Sequence, residues 1–402
     1  MPRPVAPRDP RTGLEAARLG VYVHFPYCLS KCPYCDFAST AAKQVPEARY
    51  ADAVLAELAR RVEALGLRGA AVESVFFGGG TPSLWHPAHV GQVLDALAGA
   101  LGLSAGAEVT LEANPGAADA ARFAGYRAAG VNRLSMGVQS FQPSTLAALG
   151  RAHDGPTARR AFEAARAAGF DNVSLDFIYG VQGQTLAQVE ADAAQAAQLG
   201  SEHLSAYALT LDRASLAEEV PLAKQLARGE VTLPEDDVVV RMQRAVRDAY
   251  AAAGLERYEV SNYARPGFHS RHNALYWTGG EYLAVGVGAT GFVARGGACF
   301  RYANHRSADR YLAEVEAGRV PEASREPLSD VERFEERVAM GLRLASGVDL
   351  EAVCADFGQD AARRRPVVEH LVRGGLARVD GGRLRLTDEG LDVHSAIAAR
   401  LM

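Results

Sequence analysis

Three of the five cysteines, Cys28, Cys32 and Cys35, fall within eight residues of the stretch GVYVHFPYCLSKCPYCDFAST, residues 20–40. The Cys-x3-Cys-x2-Cys loop follows directly on a β-branched and aromatic run, so all three thiols project from one strand end. Structural zinc takes four protein ligands, usually as two spaced pairs, and no partner pair follows here; His24 could complete a site only from inside the strand pattern. An iron–sulfur cluster normally takes four cysteines. Three leave one iron of a [4Fe–4S] cube open to an exogenous ligand, and an open coordination position marks a reactive centre. Cys299 and Cys354 stand alone and read as ordinary small apolar thiols.

Further polar motifs recur at the ends of later runs. VFFGGGTPS carries Gly78, Gly79, Gly80 and Thr81; three glycines let a backbone approach a ligand where any Cβ would clash, or simply make a tight turn. TLEANPG carries Glu112 before Asn114-Pro115, and SMGVQSF ends at Gln139, with Arg151 twelve residues on. LDFIYG supplies Asp176, and AYAL places Ala208 on the next run. Each is commonplace alone, but together they set polar groups around one rim, which a bound zwitterionic nucleoside requires.

The elements that must position them read as alternating strands and helices. The runs VYVHF, VESVFF, EVTLEA, RLSMGV, NVSLDFIYG and HLSAYALT alternate with Ala/Leu/Arg-rich helical stretches. Such alternation predicts an α/β fold of right-handed βαβ units around a parallel sheet. Six units suit a partial (β/α)6 barrel, in which chemistry collects at the C-terminal strand ends. Residues 1–19 read as a flexible leader, 20–212 as the barrel core, and 213–324 as an α/β extension of strands joined by polar, Gly-rich loops. Residues 325–402 read as a small helical, winged-helix-like module, with a hairpin at Gly381-Gly382 and a final helix capped by Thr387. From Gln359 onward eight Arg face six Asp or Glu, so that module reads as structural or protein-docking rather than DNA-binding.

Composition agrees with one globular chain. Of 402 residues, 48% are hydrophobic and 23% charged, with a net charge of −5, so no electrostatic footprint for nucleic acid is present. Neither a secretory h-region nor a transmembrane span is visible. Scarce, clustered cysteine favours a reducing, cytoplasmic setting; peripheral membrane association stays open.

The three-cysteine spacing resembles that of the radical S-adenosylmethionine (SAM) superfamily. That resemblance implies a [4Fe–4S] cluster whose open iron is chelated by the amino and carboxylate groups of SAM, and a 5′-deoxyadenosyl radical on reduction. YVHFPYCLSKCPYCDF, FFGGGTPS, LEANP, RLSMGVQSF, LGRAH, DFIYG and RHNALYW, in this order, look like the coproporphyrinogen III oxidase-like branch, and most like its HemW haem chaperones. The resemblance implies that Tyr22, Gly79, Glu112, Arg151, Asp176 and Ala208 contact the cluster-bound SAM. Tyr34 would pack beside adenine; Tyr34, Gly80, Thr81 and Gln139 match positions lining a second SAM in the oxidase.

Phe37 stands where the oxidase carries a further cysteine, and the oxidase's N-terminal extension is short here. Both departures disfavour porphyrinogen decarboxylation and favour a chaperone that binds haem and passes it to acceptor proteins. Oxygen-independent coproporphyrinogen oxidation, and radical chemistry on another substrate, remain the alternatives. Within RHNALYW, His272, Asn273, Tyr276 and Trp277 form the HNxxYW arrangement of the chaperone branch. Imidazole is the commonest proximal haem ligand, so His272 is the expected haem ligand, ahead of Cys299 and His24. An ordinary hydrogen-bonded histidine is the competing reading.

Overall fold

The computed structural model describes residues 19–117, 119–211, 220–295 and 297–402. The expected leader therefore lies, up to residue 18, outside the described residues, as does the expected boundary at 212–213.

The six runs form six parallel strands: β1 Leu19–Phe25, β2 Val72–Gly79, β3 Leu103–Ala113, β4 Arg133–Gln139, β5 Val173–Tyr179 and β6 His203–Ala208. Helices α1 Glu47–Ala64, α2 Pro87–Ala100, α3 Ala120–Ala128, α4 Gly155–Ala167 and α5 Leu186–Gln198 lie between them, and α6 Asp236–Ala252 follows. This is the expected α/β partial barrel. Beyond β6 the sheet continues antiparallel through β8 Asn262–Ala264 and β7 Glu256–Arg257. Beyond β1 lies β9 Glu281–Val285, parallel to it, then antiparallel β10 Thr290–Arg295, β11 Ala298–Asn304 and β12 Glu322–Pro327. The full order is β12-β11-β10-β9-β1-β2-β3-β4-β5-β6-β8-β7.

Strand periodicity divides the labour of the sheet's two faces. On β1, Val21, Val23 and Phe25 are fully buried against the helical layer, each worth roughly 1.5–3 kcal/mol relative to exposure. Gly20, Tyr22 and His24, on the alternate positions, face the barrel interior. Helix α1 answers with Tyr50, Val54, Leu58 and Val62, a buried stripe at four-residue spacing.

A polar weld fastens α1 to the extension. Glu57, fully buried, accepts from Arg61 Nε (2.7 Å), Gly286 N (2.8 Å), Asn304 Nδ2 (2.7 Å) and the Tyr311 hydroxyl (2.7 Å). Arg61 also reaches Glu322 at 3.2 Å and lies over the Tyr302 ring at 3.8 Å. One carboxylate thus joins α1, the turn after β9, β11 and the helix α8 Ala308–Glu316.

RHNALYW departs from the expected strands and loops. It forms a helix, α7 Arg271–Thr278. Ser270 caps it by accepting from Asn273 N at 3.3 Å, and Gly279, at φ +70°, ends it. Both the cap and the stop stand in the sequence; the surrounding strand-like runs obscured an eight-residue helix.

The last helices build a core of their own. α9 Asp330–Arg343 begins with a capping box between Ser329 and Glu332, and Phe334, Val338 and Leu342 pack with Leu371, Leu384 and Leu401. Strands β13 Ala377–Asp380 and β14 Arg383–Leu386 join through Gly381 and Gly382, both at positive φ. Thr387 caps the following turn by accepting from Gly390 N, although the final helix breaks at Val393. Among the described residues, no helix is long and apolar enough to cross a membrane.

Glu57→Ala should leave Arg61 with Glu322 as its remaining carboxylate partner and strip Gly286 N, Asn304 Nδ2 and the Tyr311 hydroxyl of a buried acceptor, costing about 3–5 kcal/mol. Glu57→Gln should cost less, because it keeps part of the hydrogen bonding. Denaturation midpoints of the two variants against the parent measure this.

Candidate functional site

A cavity of about 620 Å³ opens at the C-terminal ends of the barrel strands. The cysteine loop is pinned at its base, where Tyr27–Cys28 pairs with Thr40–Ala41, and internally by Cys35 N donating to Cys32 O at 3.2 Å. Cys28, Cys32 and Cys35 all line the cavity, with Tyr34 beside them. Thr81 Oγ1 donates to Cys28 Sγ at 3.4 Å, and Arg151 Nη1 to Cys32 Sγ at 3.6 Å.

Two of the three glycines bring the end of β2 against β1 and the start of the cysteine loop. Gly80 N donates to Phe25 O and Thr81 N to Tyr27 O, stitching the end of β2 to the start of the cysteine loop. A Cβ on Gly80 would lie 2.8 Å from the Pro26 carbonyl. Gly79 sits at φ +116°, and a Cβ there would meet the His24 ring at 2.5 Å. Close approach is needed, but here between two protein segments.

Gly79, Gly80, Thr81, Glu112, Gln139, Arg151 and Asp176 also line the cavity, as the sequence led us to expect. Arg151 Nη2 donates to Asn114 Oδ1 (2.6 Å) and Gly137 O (2.8 Å), and Asn114 Nδ2 donates to Thr81 Oγ1 (2.9 Å). That relay runs from the fourth strand end to the first thiol. Gln139 is the non-glycine residue with positive φ (66°) among the described residues, a strained conformation at the rim.

Two expected residues lie elsewhere. Tyr22 is not on the cavity wall: its ring stacks on Phe76 and its hydroxyl meets His24 Nδ1 at 3.0 Å. Ala208 packs its methyl against the core, and its carbonyl accepts from Thr210 at 3.3 Å. His272 does not fit the role of haem ligand. It is 1% exposed, Nδ1 meets Ser74 Oγ at 2.9 Å, and Nε2 meets the Tyr276 hydroxyl at 2.8 Å. Both ring nitrogens are committed, and burial holds its pKa down at about 3. His24 is likewise used on both sides, by Tyr22 and by Ala38 O.

Sequence reasoning missed Arg133, Ser135, Ser205, Tyr207 and Asn273, all on the cavity wall. The strand residues were findable, since Arg133, Ser135 and Gln139 share one parity on β4, and Ser205 and Tyr207 share one on β6. Asn273 comes from α7, which enters the barrel and contributes to its floor.

Electrostatically the cavity is a two-signed chamber. Burial pushes the Glu112 carboxyl up to about 8, reinforced by the charge of Asp176 and opposed by the Gly79 N–H donating at 3.0 Å. Burial also raises Asp176, although Ser135 and Ser174 donate to it at 2.8 and 3.0 Å. Arg133 and Arg151 each carry a buried Nε without a partner. Two under-compensated carboxyls and two unsatisfied guanidinium donors match a ligand carrying both an ammonium and a carboxylate. Among the described residues no three His, Cys, Asp or Glu side chains converge on a single-ion site. Cys28, Cys32 and Cys35 share one cavity wall, and a cube takes each thiolate on a different iron.

Comparison with known proteins agrees with this geometry. A profile described as the Radical SAM superfamily matches residues 22–196, and one described as the HemN C-terminal domain matches 328–393. "Heme chaperone HemW" of Mycobacterium tuberculosis is 36% identical over 386 residues, covering 95% of this chain and 94% of that protein. The chain belongs to the HemW family. HemW of Escherichia coli is 40% identical over 276 residues, 68% of this chain and 70% of its own. The solved coproporphyrinogen III oxidase (HemN) of Escherichia coli shares the fold of this HemW-family chain, with a TM-score of 0.80 at 21% identity over 98% of this chain and 91% of that one.

The raised Glu112 carboxyl has a stability consequence. Between about pH 4.5, its ordinary value, and about 8, the folded chain holds a proton that the unfolded chain has lost. Stability from this group is therefore full at low pH and declines as pH rises through that window, by roughly 5 kcal/mol at most. Comparing the parent with Glu112→Gln in denaturation series from pH 4.5 to 8, without added cofactor, should show the parent losing stability relative to the variant.

Proposed function

We propose that this protein is a haem chaperone that holds haem and releases it to acceptor proteins, and that it carries a [4Fe–4S] cluster on Cys28, Cys32 and Cys35. The observation that carries the reading is kinship with HemW proteins across nearly the whole chain, joined to a three-thiol cavity with no fourth protein thiol on its wall. Held by three thiolates, such a cluster supplies an iron open to an exogenous amino acid chelate.

The chain's own groups do the rest. Thr81 and Arg151 donate to two of the sulfurs, hydrogen bonds that would tune the potential of a bound cluster. Glu112, whose carboxyl burial holds up at about 8, would give up its proton when the ammonium of SAM arrives; Asp176 would add to that charge, and Arg133 and Arg151 offer donors for the carboxylate. Tyr34, beside the last thiol, offers a ring face to adenine. Gln139, Gly79, Gly80 and Thr81 complete the wall. Phe37, where the oxidase branch carries a further cysteine, is 54% exposed and supplies no thiol for porphyrinogen chemistry.

Anaerobic reconstitution should give a cube-type electron paramagnetic resonance signal that changes on adding SAM. Cys28→Ala, Cys32→Ala and Cys35→Ala should each abolish it, and Arg151→Met should lower the reduction potential. Purified protein should take up haem with a Soret shift and lose it to a haem-free globin. No uptake by the parent protein overturns the chaperone reading; a cluster signal indifferent to SAM overturns the ligand assignment.

A further inference from the structure

A chain of hydrogen bonds runs from the cavity wall to the start of α7. Asp176, on β5, lines the cavity. Ser135 Oγ, on β4, donates to its Oδ2 at 2.8 Å, and Ser174 Oγ donates to its Oδ1 at 3.0 Å. Ser174 is fully buried, and behind it, on β6, stands His203, with Nδ1 at 2.8 Å. The other ring nitrogen, Nε2, lies 2.8 Å from the Tyr258 hydroxyl. That hydroxyl accepts at 3.3 Å from the backbone N–H of Ser270, the cap residue of α7. The exposed His269 ring covers Tyr258, stacked on it at 4.2 Å.

Counting protons gives the chain one direction. A carboxylate only accepts, so the single Ser174 hydroxyl proton goes to Asp176 and the Ser174 oxygen accepts from His203 Nδ1–H. A neutral imidazole carries one N–H, which leaves Nε2 to accept from the Tyr258 hydroxyl. Burial, with the charges of Arg133 and His269 behind it, holds His203 well below the ordinary histidine range, and so neutral. Run backwards, from a protonated Asp176, the chain would strand the Tyr258 proton. Among the described residues that hydroxyl has His203 as its acceptor, and its other partner, Ser270 N, is a donor. Donors in series polarise one another, and donation to a carboxylate favours its charged form.

We propose that His203 and Tyr258 are positioning residues for Asp176: through Ser174 they hold it as an oriented carboxylate and give that side of the cavity its preference for a cationic ligand group. The inference rests on the SAM reading of the cavity and adds to it two residues that act through another. Other groups face Asp176 as well. Glu112 on β3 adds like charge and Arg133 on β4 opposes it, while the phenols of Tyr207 on β6 and Tyr250 on α6 complete the surroundings. All of them are common to the parent and to the variants below, so a ratio of affinities isolates the chain.

The test measures SAM affinity by calorimetry on anaerobically reconstituted protein, from about pH 5.5 to about 8.5, across the range in which a raised carboxyl changes charge. The proteins are the parent, Ser174→Ala, His203→Leu and Tyr258→Phe. Each variant breaks the chain, so Asp176 keeps its proton to a higher pH and the cation meets a neutral acid. Affinity relative to the parent should therefore fall towards low pH and recover towards high pH. The loss should be roughly tenfold for Ser174→Ala and about threefold for Tyr258→Phe, which acts at two removes. Tyr258→Phe removes only a hydroxyl and carries the test if His203→Leu does not fold. A loss by the same factor at every pH, or no loss in any variant, overturns the inference. Cofactor-free protein gives a second arm: at pH 8, Tyr258→Phe should lower the denaturation midpoint more in the parent than in an Asp176→Asn background. Additive effects there also overturn it. A parent that binds no SAM overturns the ligand assignment instead, and the denaturation arm then decides the role of Tyr258 alone.

Discussion

Glu108 governs the interior of this molecule. Buried on β3, it accepts from the backbone N–H groups of Arg271 and His272, both at 3.0 Å. A carboxylate at a helix N-terminus meets unsatisfied donors and the positive end of the peptide dipoles together. This contact fixes α7 inside a barrel of six parallel strands. From it follow the seat of His272 against Ser74 and Phe76, the presence of Asn273 on the main cavity wall, and the edge-on meeting of Tyr276 with Tyr282 of β9.

The HNxxYW segment gains a physical meaning in this light. His272 stacks on Phe76 at 5.2 Å and meets Tyr276 edge-on at 5.1 Å. It acts as a neutral spacer, bonded on both sides, that sets the height of the tyrosine. Leu275 lies so close to β1 that a Cβ on Gly20 would come within 2.6 Å of it. His272 is thus a packing and positioning group, with both imidazole nitrogens bonded within the protein.

Much of the barrel was legible in the sequence because buried parallel strands announce themselves as β-branched runs, and because polar residues at their ends have few reasons to be there. The thiols, Thr81, Glu112, Gln139, Arg151 and Asp176 were found that way. Tyr22 and Ala208 were carried over from family positions and do not sit on the cavity wall, since one stacks on Phe76 and the other points into the core. Arg133, which begins a strand, was passed over although it shares the parity of Gln139; Asn273 escaped because it arrives on a helix from a hundred and more residues away. Proximity in space across such separations leaves no local trace. The helical nature of RHNALYW was hidden for a simpler reason: its cap and its stop lay in a segment dominated by strand-forming residues.

Arg343, at the end of α9, lies over the Trp277 ring at 4.4 Å and pairs with the fully buried Glu259 at 3.0 Å. Its partner ring and partner carboxylate both belong to the part of the chain before the terminal helices. Severing those helices would strip an indole of its cover and strand an anion in the interior, so the tail cannot be treated as a detachable accessory. Its loss would be felt in the body of the fold.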